Sequence, residues 1–352
     1  MGLILIKRLL VIVLLLAIGG GFGAAFYLKD QFDNPMLIDT AQIYNVPAGS
    51  SLRRVLGDFE ARGWIRFARM HELWLRYREQ TAIQQGEYQL MPSDTSIDAV
   101  NRMISGRKIQ HSVQFIEGWT FKQVLTALAA NDELTHTLSD LTQPAIMETL
   151  KLEISHPEGW FFPDTYLFER GTDDVNILRR ANTRMQQELA QAWEKRADNI
   201  QVETPYEALI LASIIERETG AAFERPEIAG VFDRRLAQGM RLQTDPTVIY
   251  GLGDTFDGNL NRTHLRQDTP YNTYTRTGLP PTPIANPGRG ALTAAVNPAG
   301  GSTLFFVARG DGTHVFSDTY EEHNAAVRQY QRFRRREDYR SSPPPENTGD
   351  GS

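Results

Sequence analysis

The run from Leu9 to Leu28 carries no charged residue over twenty positions, and it constrains the chain before anything else does. As a helix rising about 1.5 Å per residue it is about 30 Å long, the thickness of a bilayer's hydrocarbon core. Lys7 and Arg8 precede it, while Lys29, Asp30 and Asp33 follow. The positive-inside rule then predicts a single-pass anchor with its N-terminus in the cytoplasm and the rest of the chain outside. In a bacterium the anchor sits in the inner membrane and the body lies in the periplasm, facing the cell wall. The competing expectation is a cleaved signal peptide with Gly23-Ala24-Ala25 as its small-residue site. The run is long for that purpose and continues through Phe26-Tyr27-Leu28.

At 352 residues the chain is long enough for two folded domains plus appendages, and its hydrophobic share of 41% suits a globular protein. A net charge of −6, with no basic stripe of interleaved aromatics, speaks against nucleic acid as a partner. The absence of cysteine excludes disulfides, thiolate catalysis, Cys-based zinc sites and lipidation at an N-terminal Cys. The histidines, at 71, 111, 136, 156, 264, 314 and 323, include no pair at metal-ligand spacing, so neither metal nor cofactor is expected.

The chemistry is expected in Thr204–Gly220, T-P-Y-E-A-L-I-L-A-S-I-I-E-R-E-T-G. Thr204 as cap, Pro205 at the first helical position and Glu207 three residues past the cap predict a helix start. At about 100° per residue, Leu211, Ile214 and Ile215 share one side, and Glu218 projects among them. Glu216 points roughly 200° away, toward Ser213 and Arg217. Burial and the negative end of the helix dipole both raise the pKa of Glu218, which prepares it as a proton donor near neutral pH. The alternative is a glutamate at a frayed helix end that turns into solvent.

The remaining patterns predict an α+β fold. Val46–Leu56, Met91–Val100 and more loosely Ile116–Leu125 share one plan, in which a strand ends in a turn, a Ser or Thr cap and a short amphipathic helix. Residues 30–108 form a small α+β module, 109–338 a mixed α+β catalytic domain, and 339–352, with Pro343-Pro344-Pro345, a disordered tail. Trp64, Trp74 and Tyr77 are read as core, with a sugar-stacking platform as the alternative. In the second domain Phe161 and Phe162 pack into the core, Asp173 to Trp193 is an amphipathic helix, and another follows from Pro226 to Gln238. Gln243, Thr244 and Asp245, polar residues just before Pro246, either cap the following turn, Asp245 as a helix cap, or face a ligand. The Pro- and Gly-rich segment 270–288 either carries binding residues, Tyr271, Asn272 and Tyr274, or straps the core. Leu304–Ala308 and His314–Phe316 form a hairpin, and Tyr320 to Arg336 a final helix.

The module's V-P-x-G-x-S-L turn resembles the LysM-like modules of wall-associated proteins, which bind N-acetylglucosamine-containing chains; a spacer without ligand affinity is the alternative. A-S-I-I-E-R-E-T at 212–219, E-G-W-F-F-P-D-T-Y at 158–166, M-R-L-Q-T-D-P-T-V-I-Y-G at 240–251 and Y-N-T-Y-T-R-T-G-L-P-P-T-P-I-A-N-P-G at 271–288 resemble the endolytic murein transglycosylases of the YceG-like family. The resemblance spans nearly the whole chain. It implies cleavage of the β-1,4 bond between N-acetylmuramic acid and N-acetylglucosamine in peptidoglycan glycan strands. It further implies 1,6-anhydro ends, termination of nascent strands beside penicillin-binding synthases, and Glu218 as the catalytic glutamate of E-x-E-T. Glu216, Gln243, Asp245, Tyr271, Asn272 and Tyr274 are the expected groove residues. Two rivals are a non-catalytic wall-binding scaffold and a muramidase-type hydrolase that uses Asp245 as a second carboxylate.

Overall fold

A computed structural model describes residues 2–139, 141–152 and 156–333 of the chain. The expected disordered tail and the end of the final helix lie outside these residues. Two compact units emerge, one of Met1–His111 with Leu167–Gly171, the other of Ser112–Tyr166 with Thr172 onward.

The first unit begins with helix α1, Gly2–Asp33. Among the described residues no helix is long and apolar enough to cross a membrane. Several side chains of α1 lie outside that set; of the described apolar ones Leu10, Ile12, Val13, Leu14, Leu15, Ile18 and Phe26 are exposed and Phe32 is half-buried. After α1 come β1 (Gln42–Val46), α2 (Leu52–Ala61), α3 (Ala68–Tyr77), β2 (Gly86–Leu90) and α4 (Ser96–Ile104). β1 and β2 pair antiparallel with Tyr44 opposite Tyr88, and both tyrosines are buried. Around them pack Leu56, Phe59, Leu75, Val100 and Met103.

The predicted strand–turn–cap–helix plan recurs as expected. Ser51 accepts from the Arg54 backbone N–H at the start of α2. Thr95 with Asp98 forms a capping box on α4, and Thr120 with Gln123 forms one on α5, Phe121–Ala129. Each cap satisfies backbone donors that a first helical turn leaves free, which lets short helices follow strands directly.

Trp74 and Tyr77 depart from the core assignment. They are 39% and 81% exposed, on the face of α3 opposite the buried His71, Glu72 and Leu75. Only Trp64 packs, partly buried, against the core. One ten-residue helix has a single inward face, and Ala68, His71, Glu72 and Leu75 occupy it.

The second unit contains β3 (His111–Gln114) and β4 (Thr165–Phe168), both at its boundary, with α5 (Phe121–Ala129), α6 (Gln143–Leu150), α7 (Asp174–Glu194) and α8 (Pro205–Glu218). There follow α9 (Arg225–Ala237), α10 (Asp245–Leu252), α11 (Arg262–Arg266), α12 (Arg289–Val296), β5 (Phe305–Ala308), β6 (His314–Ser317) and α13 (Tyr320–Val327). β3 pairs with β4, and β5 with β6 in the predicted hairpin.

α8 is the axis of this unit. Every residue from Ala208 to Ile215 is buried, because α7, α9, α10 and α12 pack against it. An apolar stripe was the expectation; a helix enclosed on all sides is what forms. α12 closes one side with Ala291, Leu292, Ala294, Ala295 and Val296, a short alanine-rich helix that the preceding prolines and glycines concealed. Phe161 and Phe162 are in the core as expected. Segment 279–288 is the strap, not the groove wall. The Ile284 N–H donates to Ser213 Oγ (3.0 Å), Phe161 N–H to Asn286 Oδ1 (2.9 Å), and the Asn286 amide to the Trp119 carbonyl (2.9 Å).

Candidate active site

α8 starts where its sequence says it should. The Thr204 side chain accepts from the Glu207 N–H (3.2 Å), and the Glu207 carboxylate accepts from the Thr204 N–H (3.2 Å). At the far end Thr219 turns into extended backbone, which leaves Glu218 as the last helical residue. Its side chain reaches a cleft of about 800 Å³ that Arg235, Gln243, Asp245 and Tyr274 also line.

The Glu218 carboxyl is packed by protein while the residue keeps part of its surface open to the cleft. Burial pushes its pKa from 4.5 to about 7. The hydroxyl of Thr244, which donates to Oε1, pulls the other way; the charge of Asp245 adds to the rise, and Arg235 opposes it. At neutral pH the carboxyl is therefore divided between acid and base, the state a single group needs in order to give a proton and take one back.

The strand of chain that carries Thr244 is held by tertiary hydrogen bonds. Gln243 adopts a left-handed φ of 52°, a conformation that costs a residue with a Cβ about 1 kcal/mol. Its N–H donates to the Thr273 carbonyl (3.1 Å), the Thr244 N–H to Thr273 Oγ1 (3.1 Å), and Thr247 Oγ1 to the Thr244 carbonyl (2.8 Å). Arg235, buried in α9, donates through Nε to the Leu304 carbonyl (2.7 Å) and through Nη1 to that of Leu242 (2.6 Å). A guanidinium is thus fixed beside the cleft, and among the described residues no carboxylate binds it directly.

Of the expected groove residues, Gln243, Asp245 and Tyr274 share the cleft with Glu218. Asp245 does not cap α10, where Thr244 occupies the cap position; it accepts from the Tyr274 hydroxyl instead (2.6 Å). Three others are placed elsewhere. Glu216 accepts from Arg225 Nη2 (2.8 Å) and from the Gly288 N–H (2.9 Å), so it ties α8 to α9 and the strap. Tyr271 exchanges a hydrogen bond with Thr282 (2.9 Å). Asn272 is fully buried and donates to the carbonyls of His264, Leu265 and Gln267 (3.2, 3.2 and 2.7 Å), which shapes the loop after α11. Polarity in a proline-rich loop marked Tyr271 and Asn272, but Tyr271 bonds to another loop side chain and Asn272 to nearby backbone carbonyls.

Sequence reasoning left Thr244 open between capping a turn and facing a ligand, and it passed over Arg235 and the whole opposite wall, which β5, the start of β6 with the turn before it, α13 and the helical turn after α13 provide through Phe305, Thr313, His314, Tyr320 and Gln331. No local pattern marks the wall as part of a site; the chain brings it in from Phe305 to Gln331, far beyond Glu218. Glu158 is a useful contrast, since burial takes its carboxyl to about 7 as well. It accepts from the Phe121 N–H (2.8 Å) and the Tyr250 hydroxyl (3.1 Å) and does not line the cleft. A raised pKa without access to substrate is a structural feature only.

The chain has relatives. The YceG-like family model matches residues 44–329, and the chain belongs to that family. Curated relatives bear the name endolytic murein transglycosylase. That of Bacillus subtilis (strain 168) is 30% identical over 329 residues, covering 88% of this chain and 90% of the relative. That of Streptococcus pneumoniae serotype 2 (strain D39) is 25% identical over 362 residues, covering 91% of this chain and 64% of the relative. A YceG-like protein of Listeria monocytogenes, solved by crystallography at 2.6 Å, superposes with a TM-score of 0.51 at 30% identity, over 81% of this chain and 99% of that one.

Proposed function

We propose that this chain is an endolytic murein transglycosylase in which Glu218 is the sole acid and base. The observation that carries the reading is a carboxyl at the end of a buried helix, shifted to about 7 and open to a cleft that can hold a sugar chain. The substrate is the β-1,4 bond between N-acetylmuramic acid and N-acetylglucosamine within peptidoglycan glycan strands.

In its protonated form Glu218 donates to the glycosidic oxygen as the bond to the muramoyl C1 breaks. The C6 hydroxyl of the same sugar then bonds to C1, and the Glu218 carboxylate accepts its proton. The enzyme ends in its starting state, and the product carries a 1,6-anhydro end. Water is not consumed, so no second carboxylate is required to activate it. Arg235 and the Thr244 hydroxyl stabilise the carboxylate once the proton has gone. In this reading Gln243, Asp245 and Tyr274 contact the glycan, whereas Glu216, Tyr271 and Asn272 hold the scaffold.

The same reading makes α1 a single-pass anchor and puts the catalytic unit in the periplasm, where it terminates strands beside penicillin-binding synthases. The order β1–α2–α3–β2 and the Val46–Leu52 turn support a LysM-like role for the first unit. The experiment is cleavage of purified glycan strands by the full chain and by Glu218→Gln, with products read by mass spectrometry. We expect 1,6-anhydromuramic ends from the first and loss of cleavage in a folded second. Retained activity in Glu218→Gln, or reducing ends in place of anhydro ends, overturns the mechanism.

A further inference from the structure

Helix α3 carries an apolar stripe on its outward face. Its inward face buries Ala68, His71, Glu72 and Leu75, while Phe67, Met70, Leu73, Trp74 and Tyr77, at helical spacing, remain 39–81% exposed. The stripe lies against the end of α1. Tyr27 meets Phe67 edge-on at 6.0 Å between ring centroids, and Phe32 stacks on Trp74 at 5.8 Å with 12° between the planes. Trp74 in turn stacks on Tyr77 at 6.1 Å.

These contacts set a depth. Tyr27 is one residue before the end of the uncharged run, and Phe32 lies four residues past it, about 6 Å further along the helix axis. If α1 crosses the bilayer, Phe67 and Trp74 lie where the hydrocarbon core gives way to headgroups, the level at which Trp and Tyr collect in membrane proteins. Arg66, Arg69, Arg76 and Arg78 are exposed around the same helix, in position for lipid phosphates. Arg69 and Arg76 are held in place by the buried Glu72, at 2.6 and 3.0 Å.

We infer that the Phe67–Tyr77 face of α3 rests in the outer headgroup layer of the bilayer, so that the first unit is docked on the membrane rather than tethered above it. This depends on the membrane-anchor reading of α1. Aromatic rings that reach the interface, together with arginines beside them, turn a flexible tether into a two-point attachment.

The chain has no cysteine, so a single introduced one carries a spin label without ambiguity. Met70→Cys and Tyr77→Cys would be labelled in the full chain reconstituted into vesicles of mixed zwitterionic and anionic phospholipid. Leu14→Cys in α1 and Arg54→Cys on α2 are the references. Collisions with oxygen, which concentrates in lipid, are compared with those of a water-soluble nickel complex. The expected oxygen-to-nickel ratio at positions 70 and 77 is several times that at position 54. A lipid-embedded label at position 14 with aqueous labels at 70 and 77 overturns the docking alone. An aqueous label at position 14 overturns the anchor and the docking with it. Labels at 70 and 77 shielded from both reagents mean that a protein covers the face, and shielding only after glycan strands are added means that it is a sugar platform; either result overturns the lipid assignment.

Discussion

Replacing Glu218 with glutamine should stabilise the folded protein, and only at the pH where the enzyme would work. Burial lifts the carboxyl of Glu218 from an ordinary 4.5 to about 7 in the folded state. Below pH 4.5 the group is protonated whether the chain is folded or not. As pH rises from 4.5 to about 7 the unfolded chain loses this proton while the folded one keeps it, so stability declines through that window. At about 1.4 kcal/mol per pH unit the decline totals about 3 kcal/mol. Because Glu218 keeps part of its surface in the cleft, this is an upper bound, and about 1–3 kcal/mol is the working range. The substituted glutamine cannot ionise, yet it retains an oxygen that accepts from Thr244. The variant should match the parent near pH 4.5 and exceed its stability by about 1–3 kcal/mol at pH 8. Urea unfolding in detergent, followed by tryptophan fluorescence, measures this. Trp160, stacked on Tyr206 at 5.9 Å, and Trp193 both report on the core around α8. Other titrating groups are common to both proteins and cancel in the difference. A stability difference that is unchanged between pH 4.5 and pH 8 would refute the argument, because it would mean that Glu218 is not held protonated by the fold.

Two substitutions in the cleft should move the pH profile in opposite directions. Thr244→Val removes a donor that favours the Glu218 carboxylate; at about 1.5–3 kcal/mol for a hydrogen bond to a charged group, the alkaline limb of glycan cleavage should move up by about one to two pH units. Asp245→Asn removes a negative charge that favours the protonated form, so the same limb should move down, and an unmoved limb in both variants would remove these residues from the proton chemistry of the site. Glu216→Gln weakens a buried pair with Arg225, whose side chains are 5% and 12% exposed; thermal unfolding should show a loss of up to about 3–5 kcal/mol, with the alkaline limb of the remaining activity unshifted.

Much of the local structure was legible in the residues. Thr204, Pro205 and Glu207 announced the start of α8, and the three cap-bearing turns announced α2, α4 and α5, because a cap is satisfied within four residues of sequence. Period alone placed Val175, Leu178, Met185 and Leu189 on the buried face of α7. Where a side chain could serve either its own loop or a ligand, sequence could not separate the two. Asn272 and Tyr274 are two residues apart in the same Tyr- and Asn-bearing loop, yet Asn272 binds three backbone carbonyls and Tyr274 faces the cleft. Trp74 and Tyr77 looked like core on hydropathy, which counts apolar residues but not the inward faces available to hold them.

By itself the sequence determined that a carboxylate sits at the end of a capped, apolar helix, with amphipathic helices before and after it and a hairpin further along the chain. Only the tertiary structure decided that this helix is enclosed on every side, and that Thr244, Arg235 and the β5–α13 wall converge on its last residue. The pKa of Glu218 depends on that enclosure. Desolvation is a property of everything packed around a group, and its neighbours here come from segments that lie far apart along the chain.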